Sequence, residues 1–200
     1  LNEAKRLNVL NPTSHSAHCR ACKESVRAIL TAVYGECRGN HQFAWPARPE
    51  AYTDTIVGNT LKSIYDALGD WRGHRDFAKS ALVPPCDFYL TAPPFILEFD
   101  ESQHFSQARL LALRLYPKTM QMGFSLSRWQ DLCREINAVD DQPVDRDERR
   151  AWYDALRDLV PIVYGFKPTV RLYAGEVQWC AFNATNENHL ESLKPILCSP

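Results

Sequence analysis

Neither sign of charge dominates this chain of 200 residues: 23 Lys and Arg stand against 24 Asp and Glu. No global basic field announces nucleic acid, so any surface for it has to be local. Long hydrophobic runs are missing as well. No apolar stretch approaches the roughly 18 to 20 residues of a membrane span. The first residues, LNEAKRLNVLNPTSHS, lack the apolar stretch of a secretory signal. A cytoplasmic protein without a membrane partner is therefore expected. Internal repeats and low-complexity tracts are absent, and so is a second Cys-x2-Cys. The seven cysteines, at 19, 22, 37, 86, 133, 180 and 198, are odd in number and scattered, which favours reduced thiols over a disulfide framework. What is present is 45% hydrophobic residues, enough for one globular domain with a sizeable core over residues 1–200.

Cys22, Val26, Ile29, Leu30 and Val33 recur at helical spacing ahead of Gly35, which predicts an amphipathic helix over about 20–34. ECRGNHQFAWPARPEAYTD follows and reads as a long loop. A second helix is expected from Asn59 or Thr60 to Gly69, with Leu61, Ile64, Tyr65 and Leu68 inward. CDFYLT (86–91) and FILEFD (95–100), separated by Ala92-Pro93-Pro94, read as an antiparallel hairpin, with FAKSALV (77–83) as a candidate strand before it. Helices are then expected from Ser106 to Tyr116, after a Ser127/Gln130 capping box, and from Asp145 to Pro161. TVRLYA (169–174) and VQWCAF (177–182) read as closing strands. The order makes a mixed α/β domain.

The acidic hairpin carries the chemistry. Alternation along a strand puts Ile96, Glu98 and Asp100 on one face and Leu97 and Phe99 on the other. If Asp87 pairs across the hairpin on that face, three carboxylates converge. Like charges in a half-buried place raise one another's pKa, and a hard divalent cation with oxygen ligands relieves them. Such a centre suits phosphodiester hydrolysis, where bound Mg²⁺ positions a water and neutralises charge on the phosphate. The plainer alternative is a solvated acidic turn at a strand end.

Asp87-Phe88-Tyr89, an apolar strand, and Glu98-x-Asp100-x-x-x-His104 together resemble the very-short-patch-repair endonuclease-like branch of the PD-(D/E)xK nuclease superfamily, in which Asp-Phe precedes Glu-x-Asp-Gly-x-x-His. The close match covers about 20 residues, from Cys86 to Phe105. The resemblance implies a restriction-endonuclease-like core, a mixed sheet flanked by helices, over 59–185, with an N-terminal helix and loop extension over 1–58 and a helical insert over 118–160. It implies Mg²⁺ or Mn²⁺ held by Asp87 and Glu98 with Asp100 beside them, nucleic acid as partner, DNA before RNA, and a role in bacterial repair or phage defence, as a homodimer or with a defence-system protein. Two departures stand out. Glu101 occupies the branch's glycine position, and Asp100 stands where the superfamily most often has lysine. Gln103, His104 and Arg109 are the candidates to take over the lysine's part, with His104 as a proton shuttle. Loss of the lysine also admits an inactive nuclease fold used for nucleic-acid binding or assembly.

Four further groups carry alternatives of their own. Cys19, Cys22, Cys37 and His41, with His15 and His18 nearby, have zinc-like spacing, whereas helical periodicity explains Cys22 as a buried thiol needing no ligand; metal-free thiols are the expectation, a zinc-stabilised nucleic-acid-binding domain the alternative. Arg109 and Arg114, on the helix after the acidic strand, are candidate phosphate contacts, ahead of Lys118, Arg128 and Arg134. The run 146–154 reads as a helix with a charged outer face and an Arg150–Asp154 pair. Trp129, Trp152 and Trp179 are assigned to the core, and Trp45 and Trp71 are left open.

Overall fold

The computed structural model describes residues 19–197, with side chains through Lys194. Helix α1 (Arg20–Tyr34) buries Cys22, Val26, Ile29 and Leu30 and stops at Gly35, whose φ of 83° a larger residue would resist. Strand β1 (Cys37–His41) follows, then α2 (Gly58–Trp71), β2 (Cys86–Thr91) and β3 (Pro94–Asp100). Helices α3 (Gln107–Arg114), α4 (Leu126–Ile136) and α5 (Arg146–Leu159) precede β4 (Val170–Tyr173), and α6 (Glu187–Leu197) comes last.

The sheet order is β1-β2-β3-β4, with the first three strands antiparallel and β4 parallel to β3. One face packs on α1, the turn at Trp179 and Leu193 of α6, through Phe88, Leu90, Phe95, Leu97, Phe99 and Leu172. The other packs on α2 to α5, with Cys86 and Ile96 contributed from the sheet. This α/β layering follows from β3, whose residues are apolar on both sides until Glu98 and Asp100 interrupt the α5-facing row. Gly123 lets the chain before α4 bridge to Val170, since a Cβ there would stand 2.5 Å from the Thr169 carbonyl oxygen. Among the described residues no helix is long and apolar enough to cross a membrane.

Several expectations are corrected. The segment read as a loop contains β1, an edge strand exposed at Arg38, Gly39 and Asn40 and paired to β2 through its backbone. Conversely, 77–83 makes no strand beyond an isolated bridge from Leu82 to Pro46, because Phe77, Ala78 and Val83 are used in helix-side packing. VQWCAF folds as a 3-10 turn, Trp179–Ala181, that buries Trp179. The cap of α4 is Ser125, which accepts from the Arg128 N–H, rather than Ser127. Trp45 is buried and stacks on Phe43 and Tyr164, whereas Trp71 is 39% exposed under the Arg72 guanidinium. Of the stretch assigned to an extension over 1–58, α1 and β1 form part of the sheet and its cover. Of the stretch assigned as an insert over 118–160, α4 and α5 line the larger core.

Candidate active site

Register brings the acids of the hairpin together at its open end. Phe88 faces Leu97, and one rung beyond, the Asp87 N–H donates to Glu98 Oε1 at 3.2 Å. The Asp87 carboxylate turns toward α1: its Oδ2 accepts from the Phe99 N–H at 2.9 Å, and its Oδ1 lies 2.9 Å from Lys23 Nζ. Glu98 is buried and meets Arg157 of α5, Nε to Oε2, at 3.0 Å. That Arg157 N–H is nevertheless a buried donor without a hydrogen bond among the described residues, so the contact is one of charge and not of aligned donor and acceptor. Asp100 accepts from Arg171 Nη1 at 2.6 Å on one oxygen and from the Trp129 indole at 2.7 Å on the other. The three expected ligands therefore end on three different cations, Lys23, Arg157 and Arg171.

Helix α5 explains why Glu98 and Asp100 survive burial. Its inward stripe carries not only Trp152, Ala155 and Leu156 but also Asp154, Arg157 and Asp158, all buried. The charged face expected to lie outside is thus partly inside. Asp158 takes Arg171 Nε at 2.7 Å on one oxygen, and Arg109 and Tyr116 at 2.6 Å on the other. Asp154 takes Arg157 at 2.9 Å and His104 Nδ1 at 2.9 Å. Unpaired charges at this depth would each cost several kcal/mol, and each is matched by a partner at hydrogen-bond distance. Four acids, Glu98, Asp100, Asp154 and Asp158, face three arginines, 109, 157 and 171, and His104, whose ring nitrogen meets Asp154.

The electrostatics follow the geometry. Burial pushes Glu98 up to about 7 against the pull of Arg157. Burial works against the His104 cation, but Asp154 outweighs it and the net shift is upward. Burial likewise opposes the Asp154 charge, yet His104 and Arg171 hold it well below the usual carboxylate range. Lys23 also shifts upward: partial burial opposes its charge, while Asp87, then Glu101 and Glu98, favour it. Its ammonium is thus the cation of a three-carboxylate neighbourhood.

One oxygen each of Asp100 and Asp154 and one ring nitrogen of His104 lie within 4.8 Å of one another, close enough to hold one metal ion. In the present arrangement those oxygens already serve Arg157, Arg171 and His104. A cleft of about 330 Å³ opens instead beside Asp87, lined by Arg20, Lys23, Glu24, Arg27, Gly39 and Phe88 among others.

The remaining candidates separate clearly. Gln103 is half-buried, donates to Glu101 and lends its carbonyl to Arg150 at 2.9 Å. Arg150 reaches Asp140 at 2.7 Å rather than Asp154. Arg109, expected on a surface as a phosphate contact, is 1% exposed and committed to Asp158 and Tyr116. Arg114 is exposed at the end of α3. Cys37 and His41 do not join Cys19 and Cys22; His41 stacks on Tyr89, and the third member of the cysteine group is Cys180. His15, His18 and Cys198 lie outside the described residues.

Sequence reasoning missed Lys23, Arg157 and Arg171. Two of them had a signal: Asp154, Arg157 and Asp158 fall on the apolar stripe of α5 at spacings of three and four, and Arg171 interrupts a short apolar strand. Lys23 had none, because nothing local links a helix lysine to a strand acid 64 residues later. Comparison with protein-family models, with curated proteins and with solved structures gives no match.

Proposed function

We propose that this chain is a metal-dependent nuclease-like protein of the PD-(D/E)xK type, hydrolysing phosphodiester bonds with DNA as the expected substrate. The observation that carries the reading is the juxtaposition of Asp87 and Glu98 across the β2–β3 rung with Lys23 on Asp87 at 2.9 Å. The sheet supports the restriction-endonuclease-like core: three antiparallel strands, with α2 between the first and second, then helices and a fourth strand parallel to the third.

The residues fit a hard divalent cation. Asp87 and Glu98 are oxygen donors on adjacent strands, the donor type that a hard divalent cation takes, and binding one would draw Glu98 off its contact with Arg157. Mg²⁺ or Mn²⁺ held by these two carboxylates would lower the pKa of a bound water and neutralise charge on the phosphate. The protein's own groups do the rest. Lys23 Nζ replaces the lysine missing from position 100, as a donor to a phosphate oxygen or to the attacking water. Arg20 and Arg27, on the same helix and lining the same cleft, offer charge to the flanking backbone. Asp100, held by Arg171 and the Trp129 indole, and His104, bonded to Asp154, act as the buried support beneath Glu98.

A second reading has its own observation. Glu98 and Asp100 are spent on Arg157 and Arg171, which suits a nuclease fold retained for binding or assembly. Incubation of plasmid, single-stranded DNA and RNA with Mg²⁺ or Mn²⁺ separates the two. Cleavage of any of them that chelator stops and that Glu98→Gln loses supports the enzyme. Salt-sensitive binding without cleavage, weakened by Arg20→Ala with Arg27→Ala, supports the module.

A further inference from the structure

The start of α1 and the turn before α6 are far apart in sequence, yet they meet through sulfur. The Sγ atoms of Cys19, Cys22 and Cys180 lie within 4.8 Å of one another. Cys19 is the N-cap of α1 and Cys22 sits in its first turn, with the Cys22 N–H donating to the Cys19 carbonyl at 3.0 Å, so the Cys-x2-Cys backbone is already folded back on itself. Cys180 comes from the 3-10 turn Trp179–Ala181, held by the Trp179 indole on the Tyr173 carbonyl at 2.9 Å and by Ser25 Oγ on the Phe182 carbonyl at 2.8 Å. Sulfurs bound at about 2.3 Å in a tetrahedron stand roughly 3.8 Å apart, so the group needs little movement to close on one ion.

We propose that Cys19, Cys22 and Cys180 bind one zinc ion, which clamps the N-terminal turn of α1 to the turn that follows β4. Three thiolates with half-buried Cys19 and Cys180 leave one tetrahedral position for a fourth donor. The N-terminal turn of α1 contains no acidic residue, and its N–H groups favour thiolate charge. Burial otherwise holds the Cys22 thiol up near 12, so zinc displaces a proton and loading strengthens as pH rises. This differs from the set suggested by spacing, since Cys180 stands in place of Cys37 and His41. Ligands so far apart in the chain also make the ion a staple for the fold, independent of any hydrolytic centre.

The test is metal content and cobalt spectroscopy on the full chain, purified without chelator and under reducing conditions. One zinc per chain is expected. Anaerobic replacement by Co²⁺ should give a thiolate-to-cobalt charge-transfer band that Cys19→Ser and Cys180→Ser each abolish and Cys133→Ser, in the opposite core, retains. Chelation should lower the melting temperature of the wild type. Absence of both zinc and the cobalt band in the folded wild type would overturn the proposal, as would a band that persists in Cys180→Ser, or a disulfide between two of the three in freshly isolated protein.

Discussion

His104 Nδ1 lies 2.9 Å from Asp154 Oδ2, which ties the charge of the histidine to that of the buried carboxylate. Its folded pKa is raised above the ordinary 6.5, so the stability it contributes is fully present below about 6.5 and is lost as pH rises through the higher folded value. Glu98 acts in the same direction at lower pH: raised from 4.5 to about 7, it makes the folded state less stable as pH climbs between those values. Asp154, depressed, contributes stability above about 3.8 that is lost in acid. Melting temperature should therefore peak in mildly acidic buffer and decline toward pH 8. His104→Gln should melt lower at pH 6 and lose most of the decline above pH 6.5. An unchanged slope in that variant would remove His104 from the cluster's charge balance.

Removing one partner from the buried network should be severe. Arg171→Met strips a hydrogen bond each from Asp100 and Asp158 and leaves their charges uncompensated, a loss of about 3–5 kcal/mol. Trp129→Phe withdraws a single donor from Asp100 and should cost about 1.5–3 kcal/mol. Urea unfolding of both variants gives the comparison; equal, small losses would mean that water reaches these groups.

Lysine at position 100, the residue that the resemblance to the PD-(D/E)xK nucleases would call for, should not restore anything here. Asp100→Lys sets an ammonium against Arg171 at a site where the present carboxylate lies 2.6 Å away. Soluble, folded Asp100→Lys protein with a native circular dichroism spectrum would contradict the assignment of Asp100 to the structural network.

The main elements were legible because local patterns matched tertiary need. Apolar spacing gave α1 and α2, and the Ala92-Pro93-Pro94 break gave the hairpin. β1 was hidden because CRGNH has no apolar alternation and its strand state rests on backbone pairing at the sheet edge. At the site, the pairing of Asp87 with Glu98 was foreseeable from hairpin register. The cations were not, since Lys23, Arg157 and Arg171 come from three separate elements, and sequence reasoning places charged helix residues outward by default. Asp154 and Asp158 broke that default only because three arginines and a histidine met them.

Lys23→Met should leave stability nearly unchanged, because a partly exposed pair such as Lys23–Asp87 contributes only about 0–1 kcal/mol. If Lys23 serves the reaction, the same variant should lower cleavage while metal binding persists. A melting temperature depressed by many degrees would instead make Lys23 a structural counterion.

Asp87 is the central residue of the proposed centre, and the most direct measurement is nicking of supercoiled plasmid by wild type and Asp87→Asn side by side in Mg²⁺ and in Mn²⁺, with thermal melts of both proteins. Cleavage by the wild type that chelator abolishes is expected, together with a loss of about a hundredfold or more in Asp87→Asn at an almost unchanged melting temperature. Identical behaviour of the two proteins in both metals, whether both cut or neither does, would contradict the catalytic reading.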